Sequence, residues 1–209
     1  MKKLRLIMAD DHTLVVAGFR KLLESEFEIL DVAEDGRSLV QAAEKFKPDV
    51  ILLDISMPVL NGIDAARQIR SRAPNSKLIF VTMHSNPDYV REAFRAGGSG
   101  YLLKRSAASE LVPAIRAVFA GDQYITPLID RELVSLGDEE ETGPGALTER
   151  QREVLQLIAE GRAVKEIAAI LNLSSKTVEY HKNCIGRRLG TRTTAALTRY
   201  AIDNKIITT

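Results

Sequence analysis

From Leu4 to Gly121 the chain repeats one pattern five times, a short apolar segment followed by an amphipathic stretch with helical periodicity. The apolar segments are rich in Val, Ile and Leu, which is typical of parallel strands buried on both faces. The stretches between them place apolar residues three and four positions apart, which indicates helices that pack on a sheet. The repeat therefore predicts an α/β domain with a doubly wound, five-stranded parallel sheet.

The predicted strands are Leu4–Ala9, Glu28–Ala33, Val50–Leu53, Leu78–Val81 and Gly100–Leu103. The predicted helices are Thr13–Glu24, Arg37–Phe46, Gly62–Arg72, Pro87–Ala96 and Ala107–Ala120. Each of the first four helices lies between two strands, as a crossover between parallel strands requires.

A change of composition separates this first domain, residues 1–122, from the rest of the chain. Ile125–Ser135 fits either a short helix or an extended connector. Leu136–Ala146 (LGDEEETGPGA) has the glycine, proline and acidic content of a mobile linker. We therefore assign residues 123–146 to a connector and residues 147–209 to a second, smaller domain.

The second domain has the pattern of a helix-turn-helix. Thr148 and Gln151 form a capping box that starts a helix, which Gly161 can end. Two helices separated by a short turn follow, and a fourth helix closes a compact all-α domain. These three helices are predicted at Lys165–Leu171, Ser175–Leu189 (closed by Gly190) and Thr193–Asp203.

The two parts of the chain differ in charge. Residues 1–146 contain 18 Lys/Arg and 22 Asp/Glu, a net charge of −4, whereas residues 147–209 contain 11 and 6, a net charge of +5. A basic small domain favours a polyanionic partner, although a solvated helical surface reaches the same charge.

Composition also excludes several classes of protein. No apolar run is long enough to span a bilayer, so no membrane association is expected, and the N-terminus has no features of a secretion signal, so we expect a cytoplasmic protein. Cys184 is the single cysteine, which we interpret as a packed residue, and the three histidines are widely scattered. Neither a disulfide nor a zinc site is expected.

Polar residues cluster at the strand ends of the first domain. Asp10 and Asp11 follow the first strand, Asp54 ends the third, Thr82 follows the fourth and Lys104 follows the fifth. The carboxyl ends of parallel strands are where doubly wound sheets bind ligands. Three crowded carboxylates repel one another unless they are protonated or hold a cation, and an oxygen-lined site suits Mg²⁺. The arrangement suggests in-line phosphoryl transfer to Asp54, with Lys104 neutralising phosphoryl charge.

Two sets of motifs resemble a known family. Asp10-Asp11-His12, ILLDISMP, VTMH and GYLLK are similar to the receiver domains of two-component response regulators, over residues 3–121. The segment LTERQREVLQLIAEGRAVKEIAAILNLSSKTVEYHKNCIGRRLG resembles the LuxR-type output domain of the NarL/FixJ branch. The resemblance implies a flavodoxin-like sheet with strand order 2-1-3-4-5 and a cytoplasmic regulator of transcription rather than an enzyme.

The resemblance also implies roles for the pocket. Asp11, Asp54 and the backbone carbonyl of Ser56 would bind Mg²⁺ or Mn²⁺, with Asp10 assisting, and Asp54 would be the phosphoacceptor. Thr82 and Tyr101 would be the switch residues and Lys104 the phosphoryl-binding lysine. His84 and Ser56 occupy variable positions that can tune the lifetime of the acyl phosphate. The alternatives from the residues alone are a surface cation for Lys104, a helix cap for Thr82 and a core aromatic for Tyr101.

Ser175–Leu189 is the predicted DNA-reading helix, with Val178 and Ile185 on its inner face. By resemblance, Glu179, Tyr180 and Asn183 would reach base edges, and Lys176, Thr177, His181 and Lys182 would contact the phosphate backbone. Arg187 is a further candidate DNA-binding residue on this helix. Glu179 would accept from a cytosine amino group, or it is simply a solvated carboxylate.

The implied partners are a sensor histidine kinase, double-stranded DNA and a second copy of the chain on DNA, with RNA polymerase as a further possible partner. Two rival functions remain. An aspartyl-phosphate hydrolase would need a second acid two positions after its nucleophile, where this chain has Ser56. A phosphate-independent interaction module would be insensitive to loss of Asp54.

Overall fold

The computed structural model describes residues 3–129, 147–191 and 193–207. The chain divides into two compact units, Met1–Leu136 and Gly137–Thr209. The predicted acidic linker Leu136–Ala146 lies outside the described residues, and each unit is considered separately below.

The first unit alternates strands and helices as the sequence predicts. Its strands are β1 (Arg5–Ala9), β2 (Glu28–Ala33), β3 (Val50–Leu53), β4 (Lys77–Thr82), β5 (Gly100–Leu103) and β6 (Tyr124–Ile125). Its helices are α1 (Thr13–Leu23), α2 (Gly36–Phe46), α3 (Gly62–Arg72), α4 (Pro87–Arg95) and α5 (Ala107–Ala120), with a 3₁₀ turn at Lys104–Ser106.

The strands form a parallel sheet in the order β2-β1-β3-β4-β5-β6. The flavodoxin-like order of the first five strands is confirmed. The five-stranded count is incomplete, because Tyr124 and Ile125 pair in parallel with Gly100 and Tyr101 and add a sixth strand at the edge. A strand of two residues is too short to show the alternation of apolar and polar residues by which strands are recognised in sequence.

Two apolar layers cover the sheet. Residues of α2, α3 and α4 pack on one face with Ile51, Phe80 and Tyr101. Residues of α1 and α5 pack on the other face with Leu52 and Ile79. Alternate residues of each central strand enter opposite layers, which is why these strands are apolar throughout.

Local sequence explains where the helices start. Asp35, Asn61 and Asn86 lie directly before α2, α3 and α4, and each side chain accepts a hydrogen bond from a backbone amide in the first turn. Pro87 occupies the first turn of α4, where no amide donor is lost.

Gly62 is required by a close approach of two backbone segments. A Cβ atom on Gly62 would lie 1.9 Å from the carbonyl oxygen of Asp54. The Gly62 amide donates to the carbonyl of Ile55 over 2.9 Å. These contacts hold the loop after β3 against the start of α3, and a side chain at Gly62 would displace that loop.

The second unit has the four predicted helices: α6 (Glu149–Ala159), α7 (Val164–Leu171), α8 (Ser175–Leu189) and α9 (Thr194–Asp203). The capping box of Thr148 and Gln151 is present. Asn172 adopts a left-handed conformation (φ 54°) at the end of α7, and Ser174 caps α8. Gly161 and Gly190 also have positive φ, after α6 and at the end of α8.

One apolar core joins these helices. Val154, Ile167, Val178 and Leu197, one from each helix, are fully buried together. The inner face predicted for α8 is confirmed, because Ile185 is also buried. Within the described residues, no helix is both long and apolar enough to cross a membrane.

Candidate functional sites

The strand ends of the first unit bring four polar residues to one edge of the sheet. Asp10 directly follows β1 and Asp54 directly follows β3, and the pairing of Ala9 with Leu53 sets these carboxylates side by side. The Asp54 amide donates to the Ala9 carbonyl over 2.9 Å. Thr82 is the last residue of β4, and Lys104 directly follows β5. The site therefore lies beside the reversal of strand order between β1 and β3.

Lys104 connects two carboxylates. Its Nζ lies 2.7 Å from Oδ2 of Asp10 and 2.8 Å from Oδ2 of Asp54, and the three side chains are at most 8% exposed. Burial lowers the pKa of Lys104, but hydrogen bonds to Asp10 and Asp54 and their charges outweigh burial and raise it above its usual value. The ammonium is therefore charged, and the surface-cation interpretation of Lys104 is wrong.

Asp10, Asp11, His12 and Asp54 form a cluster in which ligand atoms, one from each residue, lie within 4.8 Å of one another. His12 Nδ1 is 3.0 Å from Oδ1 of Asp10 and 2.8 Å from Oδ1 of Asp11. The donor set is mainly carboxylate oxygen, which fits a hard divalent cation such as Mg²⁺. No role was predicted for His12 from the sequence, although its position directly after two aspartates could have indicated one.

Ser56 and His84 meet beside Asp54. Ser56 Oγ lies 2.8 Å from Nε2 of His84, and the His84 ring stacks on the ring of Tyr89 with centroids 4.3 Å apart. Burial lowers the pKa of His84, the charge of Asp54 opposes this change, and the charge of Lys104 adds to it. The pair links the loop after β3 to the start of α4.

Thr82 and Tyr101 are both fully buried. The Tyr101 hydroxyl donates to the carbonyl of His84 over 2.9 Å. The His84 amide lies 3.4 Å from Oγ1 of Thr82. Asn86 rather than Thr82 caps α4, so the helix-cap interpretation of Thr82 is wrong. Burial, and secondarily the charge of Asp54, raises the pKa of Tyr101.

The second unit presents one polar face of α8. The exposed residues of this helix recur every three or four positions, which places them along one side. Val178 and Ile185 point to the core from the other side. The exposed candidates are Lys176, Glu179, Tyr180, Asn183 and Arg187.

Three other candidates on α8 are half-buried: Thr177, His181 and Lys182. The Thr177 hydroxyl lies 2.8 Å from the hydroxyl of Ser174, and the Thr177 amide donates to Ser174 Oγ, so Thr177 belongs to the helix cap. Arg188 donates to Gln151 over 3.1 Å and ties α8 to α6. Cys184 is also half-buried, with Arg187 Nη2 3.2 Å from its Sγ.

This fold and these sites define a regulator with a receiver domain and a helix-turn-helix output domain. The profile described as response regulator receiver domain matches residues 6–116, and the profile described as bacterial regulatory proteins, luxR family, matches residues 145–201. The chain belongs to the two-component response regulators with a LuxR-type DNA-binding domain, and is a regulator rather than a classical enzyme.

The chain is similar along nearly its whole length to named members of this family. It is 35% identical to the transcriptional regulatory protein MctR of Rhizobium johnstonii, covering 98% of this chain and 96% of the relative. It is also 35% identical to the oxygen regulatory protein NreC of Staphylococcus carnosus, covering 98% and 99%. A structure of the RcsB response regulator of Salmonella typhimurium matches with TM-score 0.61 and 31% identity, covering 96% and 97%.

Proposed function

We propose that phosphorylation of Asp54 by a sensor histidine kinase controls sequence-specific DNA binding by the second domain, and through it transcription. The observation that carries this proposal is the buried triad of Asp10, Asp54 and Lys104. Because the ammonium already lies beside the Asp54 carboxylate, it is placed to neutralise charge on an incoming phosphoryl group.

The proposed reaction is an in-line displacement at phosphorus. A carboxylate oxygen of Asp54 forms a bond to phosphorus while the bond from phosphorus to the donor histidine nitrogen breaks, and the released imidazole nitrogen takes up a proton. Mg²⁺ or Mn²⁺, bound by Asp11, Asp54 and the carbonyl of Ser56 with Asp10 assisting, would supply positive charge to the phosphoryl oxygens. Thr82 would donate its hydroxyl to the new group.

The second domain is proposed to bind double-stranded DNA through α8. Its exposed face combines Lys176 and Arg187, suited to phosphates, with Glu179, Tyr180 and Asn183 between them, suited to base edges. The half-buried Thr177, His181 and Lys182 lie nearer the inner face of the helix and are proposed to contact the backbone. Because DNA is the proposed ligand, we place the protein in the bacterial cytoplasm.

We propose that two copies bind together. One α8 contacts too few base pairs for selectivity, so two protomers on two half-sites are expected. Among the similar solved structures, one consists of two RcsB dimers bound to two parallel DNAs. In another, RcsB is bound to a promoter in the presence of the phosphomimetic BeF₃⁻. RNA polymerase would be a further partner at such a promoter.

Intact-protein mass spectrometry tests the central step. The protein is incubated with Mg²⁺ and acetyl phosphate, alongside Asp54→Asn and, as a matched control, Asp31→Asn on β2. We expect one phosphoryl adduct on the wild type and on Asp31→Asn, and none on Asp54→Asn. An adduct that persists in Asp54→Asn would contradict the assignment of the phosphoacceptor. Steady hydrolysis of a phosphoester over many turnovers would instead support the hydrolase alternative.

A further inference from the structure

Residues 124–129, here called the docking segment, fold onto the first domain although sequence assigned them to the connector. The Tyr124 amide donates to the Ser99 carbonyl over 3.1 Å, and the Thr126 amide donates to the Tyr101 carbonyl over 2.9 Å. The start of the connector is therefore bound to the backbone of a proposed switch residue.

Glu110 of α5 holds the docking segment with its carboxylate. Thr126 Oγ1 donates to Oε1 of Glu110 over 3.0 Å, and the Tyr124 hydroxyl donates to Oε2 over 3.3 Å. Thr126 is fully buried, so its hydroxyl has exchanged water for this partner. Both oxygens of one carboxylate thus bind the same short segment.

The docking segment also ends in the apolar core. Ile129 is 4% exposed and belongs to the same buried cluster as Tyr101 and Val90, and Ile125 packs against that cluster. The Ile129 amide donates to the Thr126 carbonyl over 3.1 Å, which turns the chain back toward the core. The segment is therefore anchored at both ends, by polar contacts at Tyr124 and Thr126 and by burial at Ile129.

Two residues of the phosphorylation pocket lie on the elements that hold this segment. Tyr101 pairs with Ile125 in the sheet while its hydroxyl binds the His84 carbonyl. Lys104 begins the 3₁₀ turn that ends at Ser106, and Ser106 Oγ lies 3.4 Å from Thr126 Oγ1. A shift of Tyr101 or Lys104 would therefore change the lengths of the hydrogen bonds that Thr126 makes to the Tyr101 carbonyl and to Ser106.

We propose that the docking segment couples the phosphorylation pocket to the linker, with Glu110 and Thr126 as the residues that hold it in place. This inference rests on the proposed function, because it assigns the route by which Asp54 controls the output domain. The chain continues from residue 130 toward the second domain, so the docked state determines where the linker leaves the receiver domain.

The direction of the coupling follows from the buried position of Tyr101. The docked segment is bonded to a Tyr101 whose ring is fully buried. A phosphoryl group that binds both the Thr82 hydroxyl and the Lys104 ammonium would tie the end of β4 to the end of β5, the strand that carries Tyr101, and so stabilise the buried position. Phosphorylation therefore stabilises docking, and by reciprocity docking favours the phosphorylated pocket.

Hydrogen exchange on the full-length protein tests the coupling. The exchange of the Tyr124 and Thr126 amides is followed by mass spectrometry with Mg²⁺ alone and with Mg²⁺ and BeF₃⁻. In the wild type we expect BeF₃⁻ to slow this exchange by about fivefold or more, as for a typical coupling. In Thr126→Val and Glu110→Ala we expect exchange about fivefold faster without BeF₃⁻ and a much smaller response to it. Glu26→Ala is the matched control, because Glu26 instead binds Arg116 on the far part of α5.

DNA affinity gives the second readout. A duplex is selected from a random pool by BeF₃⁻-treated wild-type protein, and its affinity is measured for each variant with and without BeF₃⁻. We expect the gain in affinity caused by BeF₃⁻ to be at least about fivefold smaller in Thr126→Val than in Glu26→Ala. An unchanged gain in Thr126→Val, or no response of the wild-type amides to BeF₃⁻, would overturn the inference.

The proposed function can fail separately. If acetyl phosphate gives no adduct and BeF₃⁻ protects no amide near Asp54, both the proposed function and the inference are wrong. If the adduct forms equally in wild type, Thr126→Val and Glu26→Ala but the exchange of Thr126 does not respond, only the inference is wrong.

Discussion

Lys104 Nζ lies 2.8 Å from Oδ2 of Asp54, in a pocket where both side chains are almost fully buried. The same ammonium binds Asp10, so one cation compensates two carboxylates before any metal or phosphoryl group arrives. Removing it would leave uncompensated negative charge in a region of reduced dielectric.

Replacing Lys104 with Met should therefore destabilise the receiver domain in the presence of EDTA. We expect the free energy of unfolding to fall by about 3 kcal/mol, as for other broken buried ion pairs. Added Mg²⁺ should restore part of this loss, because a divalent cation can replace the lost charge. Urea denaturation followed by circular dichroism measures both effects. Arg105→Met, at the exposed neighbouring position, should change neither value.

Replacing Gly62 with Ala should disturb the loop that carries Asp54. The added methyl group would overlap the Asp54 carbonyl, so we expect a loss of about 2 kcal/mol of stability and slower phosphorylation. Gly18→Ala is the control, because a Cβ atom there meets nothing within 4 Å and α1 should gain stability. Equal stability of the two variants would show that the loop relaxes around the new methyl group.

The buried hydroxyl of Tyr101 predicts a loss of stability at alkaline pH. Burial raises its pKa in the folded domain, whereas the unfolded chain releases this proton near pH 10. Above that pH the unfolded state binds fewer protons than the folded state, so stability falls as pH rises. Tyr101→Phe should reduce this fall between pH 9 and about pH 11, measured by urea denaturation at a series of pH values. An identical slope in both proteins would mean that the pKa of Tyr101 is the same in the folded and unfolded states.

Exposed basic residues of α8 should control the salt dependence of DNA binding. Arg187→Ala should weaken binding to all duplexes by a similar factor and reduce the slope of log affinity against log salt by about 1. Fluorescence anisotropy over a range of salt concentrations measures the slope. Arg199→Ala, on α9 and paired with Asp203, is the control for losing one exposed cation. Equal slopes for the two variants would argue against a phosphate contact at Arg187.

Much of the fold could be predicted because its signals are periodic or local. Buried strands, helix caps and left-handed glycines depend on residues close together in sequence, as at Asn61 and Gly190. The edge of the pocket was also predictable, because strand ends of a parallel sheet meet by topology. The resemblance to a family then indicated which role each pocket residue would have.

The remaining features depend on contacts between distant residues. Nothing near Glu110 in sequence indicates that it binds Thr126, and the stacking of His84 on Tyr89 needs the turn before α4. Whether Lys104 lies on the surface or inside the pocket was decided by the packing around it. Such contacts have no period, so sequence patterns do not reveal them.

The register of β1 against β3 has a consequence for how this site can change over evolution. Main-chain hydrogen bonds, such as that from Asp54 to Ala9, set the spacing of the pocket residues. Substituting a side chain at a strand end thus alters the chemistry of the pocket and leaves its dimensions intact. If Asp54 is phosphorylated as proposed, single substitutions at these strand ends would change how long the phosphoryl group lasts, while the main chain keeps the pocket residues at the same spacing.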